Sequence, residues 1–387
     1  VDLSLNADGE AVLSLEQAEV SSSDNCTIDS KVLSKTNFDC QDLGTNDVTL
    51  TVTDANGNAT EKTFSVTISD NVIPTVITQN YTVALDENGQ ANITELDIDN
   101  GSFDNCSLAL NLDRFSFDCS DIGDQTVTLT GTDNSGNSAS ASAIVTVIDN
   151  TAPVVITQDI VVNLDTDGNA NITTSQINNG SSDNCGINAY ELDINTFDCS
   201  DLGEQTVTLT VTDNYGNQSS ASAIVTITDE IAPTVITQNI TVALDNNGEA
   251  QIAIEDIDNG SFDNCSLTLN LDRFSFNCSD VGDQTVTLTG TDTGGNSATA
   301  SAIVTVEDNI APVAVAQNIV VSLDADGNAK ITASQIDNGS SDNCGINAYE
   351  LDINTFDCSD IGEQIVTLSV TDASGNQSST SATVTIT

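Results

Sequence analysis

Thr206-Val207-Thr208-Leu209-Thr210-Val211-Thr212 alternates threonine with branched apolar residues over its whole length. Successive side chains of an extended strand point to opposite faces, so this run turns Val207, Leu209 and Val211 to a core and its threonines to water. Ala223, Val225 and Ile227 repeat the pattern downstream, and Ile160, Val162 and Leu164 repeat it upstream. Between such runs lie segments rich in Asp, Asn, Gly and Ser, at residues 165–169, 179–184, 200–203 and 213–217. These residue types make turns, through local side-chain bonds or positive φ. About seven short strands in roughly 80 residues predicts an immunoglobulin-like β-sandwich.

The pattern recurs along the chain. The four prolines, Pro74, Pro153, Pro233 and Pro312, stand 79, 80 and 79 residues apart. Each closes an acidic phrase such as Asp149-Asn150-Thr151-Ala152-Pro153. Proline cannot donate to a β-ladder, so one proline per period marks module junctions. The fold class predicted is all-β, a linear tandem array of immunoglobulin-like sandwich modules with one disulfide per module. The boundaries fall at 1–69, 70–148, 149–228, 229–307 and 308–387, the first module being truncated at its N-terminus. Residues 180–201 recur unchanged at 339–360, and 101–133 recur at 260–292 with three differences. The unit of duplication is therefore a pair of modules. Growth by copying whole pairs gains reach more directly than it gains a new pocket. Five sandwiches of about 35 to 40 Å in line would span on the order of 150 to 200 Å.

Charge narrows the functional classes. Against 59 Asp and Glu stand 6 Lys and Arg, for a formal charge of -53. Nucleic acid and anionic membranes repel such a chain. Hydrophobic residues still make up 38% and sit in alternating runs that disordered acidic tails lack. Folded and acidic points to the recruitment of cations. The chain has no His, and its cysteines are expected to be oxidised, so the common nucleophile and base pairs are missing and no enzymatic activity is expected.

The ten cysteines fall into sequence-adjacent pairs, Cys26 with Cys40, Cys106 with Cys119, Cys185 with Cys199, Cys265 with Cys278, and Cys344 with Cys358. One pair per module predicts one disulfide within each module. Zinc is the rival, but it calls for four converging thiolates or imidazoles. Closing a loop of about 14 residues would contribute roughly 3 kcal/mol in the chain-entropy picture. Disulfides persist outside the cytosol, which places the protein in an extracellular or cell-surface setting. Phe38, Phe117, Phe197, Phe276 and Phe356, each two residues before the second cysteine of a pair, are expected to pack near the bridge. With no initiator Met, no signal peptide and no apolar run of bilayer length, the sequence reads as an excerpt that makes no membrane insertion, its anchor and secretion signals lying outside it.

Tracing the strands up and down the sandwich brings three acidic segments to one pole: the linker, the loop before the first cysteine, and the last hairpin turn. They supply Asp70, Asp104 and Asp133; Asp149, Asp183 and Asp213; Asp229, Asp263 and Asp292; and Asp308, Asp342 and Asp372. The first module keeps Asp24 and Asp54. Three carboxylates brought close together repel, and a hard divalent cation with six to eight oxygen ligands relieves that repulsion. Calcium is the natural occupant. The alternative is that Asp and Asn simply fill turns, where they are favoured anyway. A weaker acidic candidate at the opposite pole comprises Asp165, Asp167, Asp201 and Glu204.

The Asp-Asn-x-Ala-Pro linker at 149–153, the Thr-Asp-x-x-Gly-Asn turn at 212–217 and the paired cysteines resemble the hyalin-repeat group of immunoglobulin-like domains. The likeness covers the whole chain, and it is similar in particular to HYR-like repeats of giant surface adhesins of gliding Bacteroidota, the SprB type. That resemblance implies type IX export, display on the outer membrane and movement along the cell surface. The linker also resembles the calcium-binding linkers of cadherins, which would assign ligands to Asp70, Asp149, Asp229 and Asp308.

The function expected is that of a calcium-stiffened shaft of an extracellular adhesin or filament, continued by further copies of the same repeat. The alternative is a recognition module binding glycans or partner proteins directly. Tyr190, Tyr215, Tyr349, Phe103 and Phe262 would serve such contacts, but their expected role is packing. Ice binding through outward threonine rows is the weakest alternative, since outward Thr is ordinary in strands.

Overall fold

The computed structural model describes residues 1–19 and 21–387. They form five repeated all-β modules and fall into two compact units, Val1–Gln158 with Ile177–Asp193 and Thr208–Ser222, and Asp159–Gln176 with Ile194–Val207 and Ala223–Thr387.

In the first unit, the second module has the complete pattern. Its main sheet orders Tyr81–Ala84, Ser138–Ile148, Gly123–Thr132 and Ala109–Leu112. Tyr81–Ala84 runs parallel to the last strand, while the other neighbours are antiparallel. A second, two-stranded sheet pairs Gln90–Asn92 with Ser116–Asp118. Alternation puts Val127, Leu129, Val145 and Val147 in the core with Ile98, Leu112 and Phe117. Thr126, Thr128 and Thr130 fall on the other face of the long hairpin. The first module repeats this arrangement with Asp2–Ser4, Ala59–Ser69, Gly44–Asp54 and Ile28–Leu33.

In the second unit the fourth and fifth modules repeat it again, the fourth through Ile240–Ala243, Ser297–Glu307, Gly282–Asp292 and Leu267–Leu271. In the third module, Ile187–Leu192 pairs with residues 209–213 within the first unit. The parallel pairing of Ile160–Asn163 with 225–228 belongs to the second. The expected phenylalanines are buried: Phe38, Phe117, Phe197, Phe276 and Phe356. Among the described residues, no helix is long and apolar enough to cross a membrane.

The cysteine pairing differs from the expectation. Cys26 does not pair with Cys40, nor Cys106 with Cys119, Cys185 with Cys199, Cys265 with Cys278 or Cys344 with Cys358. The bridges are Cys40–Cys106, Cys119–Cys185, Cys199–Cys265 and Cys278–Cys344, each joining one module to the next over a separation of 66 residues. Cys26 and Cys358 are free and exposed. The reason is the strand between each sequence-adjacent pair. In the second module, Ala109–Leu112 carries the chain away from Cys106, so Cys119 emerges at the opposite pole, 3.8 Å by its Sγ from the Gly89 carbonyl of the far turn. A loop of 66 residues is worth about 4 kcal/mol in the chain-entropy picture. Its effect is also different in kind, because it fastens neighbouring modules instead of closing one core.

Candidate metal centres at the module joints

The linker segment enters each module by pairing with the loop that follows the short helix. Thr75 bridges Phe103 and Thr78 bridges Asp99 in the second module. That pairing, together with the last hairpin, brings the three predicted segments together. Asp70, Asp104 and Asp133 each offer a carboxylate oxygen within 4.8 Å of the others. The same holds for Asp149, Asp183 and Asp213; Asp229, Asp263 and Asp292; and Asp308, Asp342 and Asp372. The linker and hairpin members are buried in all four groups, Asp149 at 6% and Asp213 at 1% exposure.

Hydrogen bonds account for only part of this acidity. At the second joint, Asp149 Oδ1 accepts from the Thr151 N–H at 3.0 Å and from Asn184 Nδ2 at 3.3 Å. Asp183 Oδ2 accepts from the Cys185 N–H at 2.9 Å. Asp149 Oδ2 and Asp183 Oδ1 are buried with no partner. Asp213 is fully engaged, its Oδ1 by the N–H groups of Tyr215 and Asn217 and its Oδ2 by Asn217 Nδ2 at 2.6 Å. Burial pushes the Asp213 carboxyl up, but the bonds from Asn217, Tyr215 and Gly216 outweigh it and hold the group below its ordinary value. Asp133 is held down in the same way, burial opposing and the bonds from Asn137, Ser135 and Gly136 prevailing.

A further oxygen at each joint belongs to Asn105, Asn184, Asn264 and Asn343. The Asn184 Nδ2 donates to Asp149 Oδ1 and, at 3.0 Å, to the Asp86 carbonyl of the preceding module. Two acceptors on one side fix the amide's orientation, since a flip would set oxygen against oxygen. Its Oδ1 is therefore left buried without a donor, as are the Oδ1 atoms of Asn105, Asn264 and Asn343. Among the described residues, the buried side-chain polar atoms without a partner are these joint oxygens and the Ser107 hydroxyl. Buried acceptors are ordinarily satisfied, at a cost of about 1–3 kcal/mol when they are not. Three at each of four joints, all acceptors, fit the donor set of a hard divalent cation. The only hint of this Asn in the sequence is that Asp-Asn-Cys follows the same turn in every module.

A second asparagine locks the frame. Asn217 Nδ2 reaches the Asp149 carbonyl at 3.2 Å besides Asp213, tying hairpin to linker. Asn137, Asn296 and Asn376 do the same for Asp70, Asp229 and Asp308. In the first module, Asp24 caps the Cys26 N–H and Asp54 accepts from Asn56 and Asn58, and among the described residues these two stand in no group of three.

The opposite-pole acids form no such group among the described residues. Asp165 Oδ1 accepts from the N–H groups of Asp167 and Asn169, and Asp201 accepts from the Asp198 N–H, so these are turns and caps. Their turns hold the glycine of the joint instead. A Cβ on Gly89, at φ +72°, would lie 2.6 Å from Cys119 Sγ and 3.0 Å from the Asn184 carbonyl. The two phenylalanines beside the acidic loops are not core residues. Phe103 and Phe262 are each 59% exposed, because the bridge to the linker turns their side chains outward, and Tyr215 and Tyr349 are exposed as well.

No family model matches the chain. It is similar to hyalin of Strongylocentrotus purpuratus, 25% identical over 377 residues, which covers 88% of this chain and 30% of that protein. The likeness supports a hyalin-like kind of repeat, and the chain spans less than a third of hyalin's length. Among solved structures, it is similar to the protocadherin GammaB4 extracellular domain, with 15% identity over the whole chain and 83% of that one at a TM-score of 0.29. It is similar also to the human desmocollin-1 ectodomain, with 11% identity over 100% and 97% of the two chains and a TM-score of 0.23.

Proposed function

We infer that this chain is a spacer of an extracellular adhesin or filament, with a calcium ion held at each joint and a disulfide fastening each module to the next. The observation that carries this reading is the set of buried, unpartnered oxygens on the linker Asp, the loop Asp and the loop Asn of every joint. At the second joint the holding residues would be Asp149, Asp183, Asp213 and Asn184. Bound there, calcium supplies positive charge to a chain of formal charge -53 and a bridge between linker and loops.

Disulfides of this number belong to an oxidising compartment, which supports placement outside the cell. On a gliding bacterium of the kind the motifs resemble, the spacer would be exported by the type IX system. It would stand on the outer membrane and extend an adhesive tip during movement. Direct recognition of glycans or partner proteins is the second reading, favoured by the exposed Phe103 and Phe262.

Calcium counting by equilibrium dialysis, with small-angle scattering in millimolar calcium and in excess chelator, tests the proposal. At least one ion per three-carboxylate group is expected, with a larger spread of dimensions after chelation. Absence of bound calcium, with unchanged scattering, would overturn it and leave the recognition reading.

A further inference from the structure

Ligand and bridge occupy one three-residue segment at every joint. Asp183, Asn184 and Cys185 are consecutive, and Cys185 is bonded to Cys119 of the preceding module. Asp183 offers one oxygen to the metal group while its Oδ2 holds the Cys185 N–H. Asn184 leaves its Oδ1 buried and unpartnered, sends Nδ2 to the linker Asp149 and to the Asp86 carbonyl, and sets its own carbonyl 3.4 Å from Cys119 Sγ. The tight turn at Gly89 closes on both the sulfur and that carbonyl. Asp104-Asn105-Cys106, Asp263-Asn264-Cys265 and Asp342-Asn343-Cys344 repeat the arrangement on Cys40, Cys199 and Cys278.

We propose that each inter-module disulfide and the carboxylate site beside it are thermodynamically coupled, so that the joint acts as a redox-sensitive cation site. The inference rests on the calcium reading above. Breaking the bridge frees Cys185, and with it the backbone that aims Asp183 and Asn184. The two oxygens then lose their fixed positions, and cation affinity falls. Linkage makes the effect reciprocal: a cation that binds the oxidised joint better opposes reduction of the bridge by the same factor. Couplings of this kind are typically about 5- to 150-fold, and about tenfold is expected at each joint.

An external dithiol reduces the bridge by two thiol–disulfide exchanges. One thiolate of the reagent attacks Cys119 Sγ or Cys185 Sγ, forming a mixed disulfide and expelling the other cysteine as a thiolate, which takes a proton from solvent. The second thiol of the reagent then closes on the first and releases the remaining cysteine. The bridge gains two electrons and two protons, and the dithiol is oxidised to its cyclic disulfide.

The test uses the whole chain with Cys26 and Cys358 alkylated beforehand. It is equilibrated with oxidised and reduced dithiothreitol, with and without calcium, and each bridge is quantified by differential alkylation and mass spectrometry. Calcium affinity is measured on the oxidised and reduced forms, with circular dichroism reporting whether the strands persist. The expected result is a roughly tenfold shift of all four reduction equilibria by calcium. In an Asp149→Asn variant, that protection should be lost at Cys119–Cys185 alone. Calcium binding to the oxidised chain with no shift in any bridge overturns the coupling and leaves the calcium reading intact. Equal protection of Cys119–Cys185 in Asp149→Asn and in the parent also overturns it. No binding to the oxidised chain overturns both. Should the reduced chain lose its strands, the double variant Cys119→Ser/Cys185→Ser, which keeps three bridges, supplies the comparison. Undiminished affinity at its second joint counts against the proposal, and weakened affinity there alone supports it.

Discussion

Cys119 at the far pole of the second module is bonded to Cys185 on the acidic loop of the third, and the Asn184 carbonyl lies 3.4 Å from the Cys119 sulfur. One covalent bond thus joins the far turn of one module to the acidic loop of its successor.

Non-reducing proteolysis followed by mass spectrometry should recover linked peptides for Cys40–Cys106, Cys119–Cys185, Cys199–Cys265 and Cys278–Cys344, with Cys26 and Cys358 open to alkylation. Recovery of Cys106–Cys119 or Cys185–Cys199 would show that each bridge closes within a module. Losing one bridge through Cys119→Ser/Cys185→Ser should lower stability by up to about 4 kcal/mol in the chain-entropy picture, seen as a lower denaturation midpoint.

Gly89→Ala should destabilise the second joint. The new Cβ meets Cys119 Sγ at 2.6 Å and the residue sits at φ +72°. Gly136, at φ +93° with no atom within 4 Å of a Cβ, suffers the backbone strain alone. Alanine at Gly136 should therefore cost about 1 kcal/mol, and alanine at Gly89 roughly 1–3 kcal/mol more from overpacking. Equal losses in urea titrations of the two variants would show that the turn does not press on the bridge.

Asn184→Ala removes an unpartnered oxygen together with the donor that joins Asp149 to the Asp86 carbonyl. Calcium stoichiometry should fall at one joint or its affinity there drop about tenfold or more, judging from the 10–100-fold effects of groups that support metal ligands. Titration calorimetry with the parent as reference checks this, and identical isotherms would remove Asn184 from the site.

Acid should loosen the joints through the hairpin carboxylates. Asp133 and Asp213 are held below the ordinary carboxylate value of 3.8 in the folded chain. A depressed folded pKa contributes stability that is fully present above the unfolded value and is lost as pH falls through the folded one. In chelator, the stability that these two carboxylates contribute should therefore be constant from neutrality down to about pH 5 and decline below about pH 4. Asp213→Asn should make that decline shallower, and an unchanged slope would remove Asp213 as a contributor.

Much of this was open to a reader of the sequence. Alternation at Thr206 to Thr212 reports strands because period two is a local property of extended backbone, and a period of 79 or 80 residues between prolines reports modules. Tracing strands pole to pole also brought Asp149, Asp183 and Asp213 together. Asn184 was hidden because Asn is ordinary in turns, and only its two acceptors, one from the preceding module, reveal which oxygen is left unpartnered. Phe103 reads as a packing residue because burial is the usual fate of an aromatic side chain, whereas on the segment bridged to Thr75 it is 59% exposed.

The sequence by itself determined the β-sandwich, the repeat and the acidic residues of each joint, because strand alternation, turn chemistry and charge are written within short stretches of chain. The tertiary structure decided which cysteines meet and which oxygens lack a partner. The first depends on where intervening strands carry cysteines 66 positions apart, and the second on contacts such as those of Asn184 with Asp149, 35 positions away, and with Asp86, 98 positions away, which no local pattern encodes.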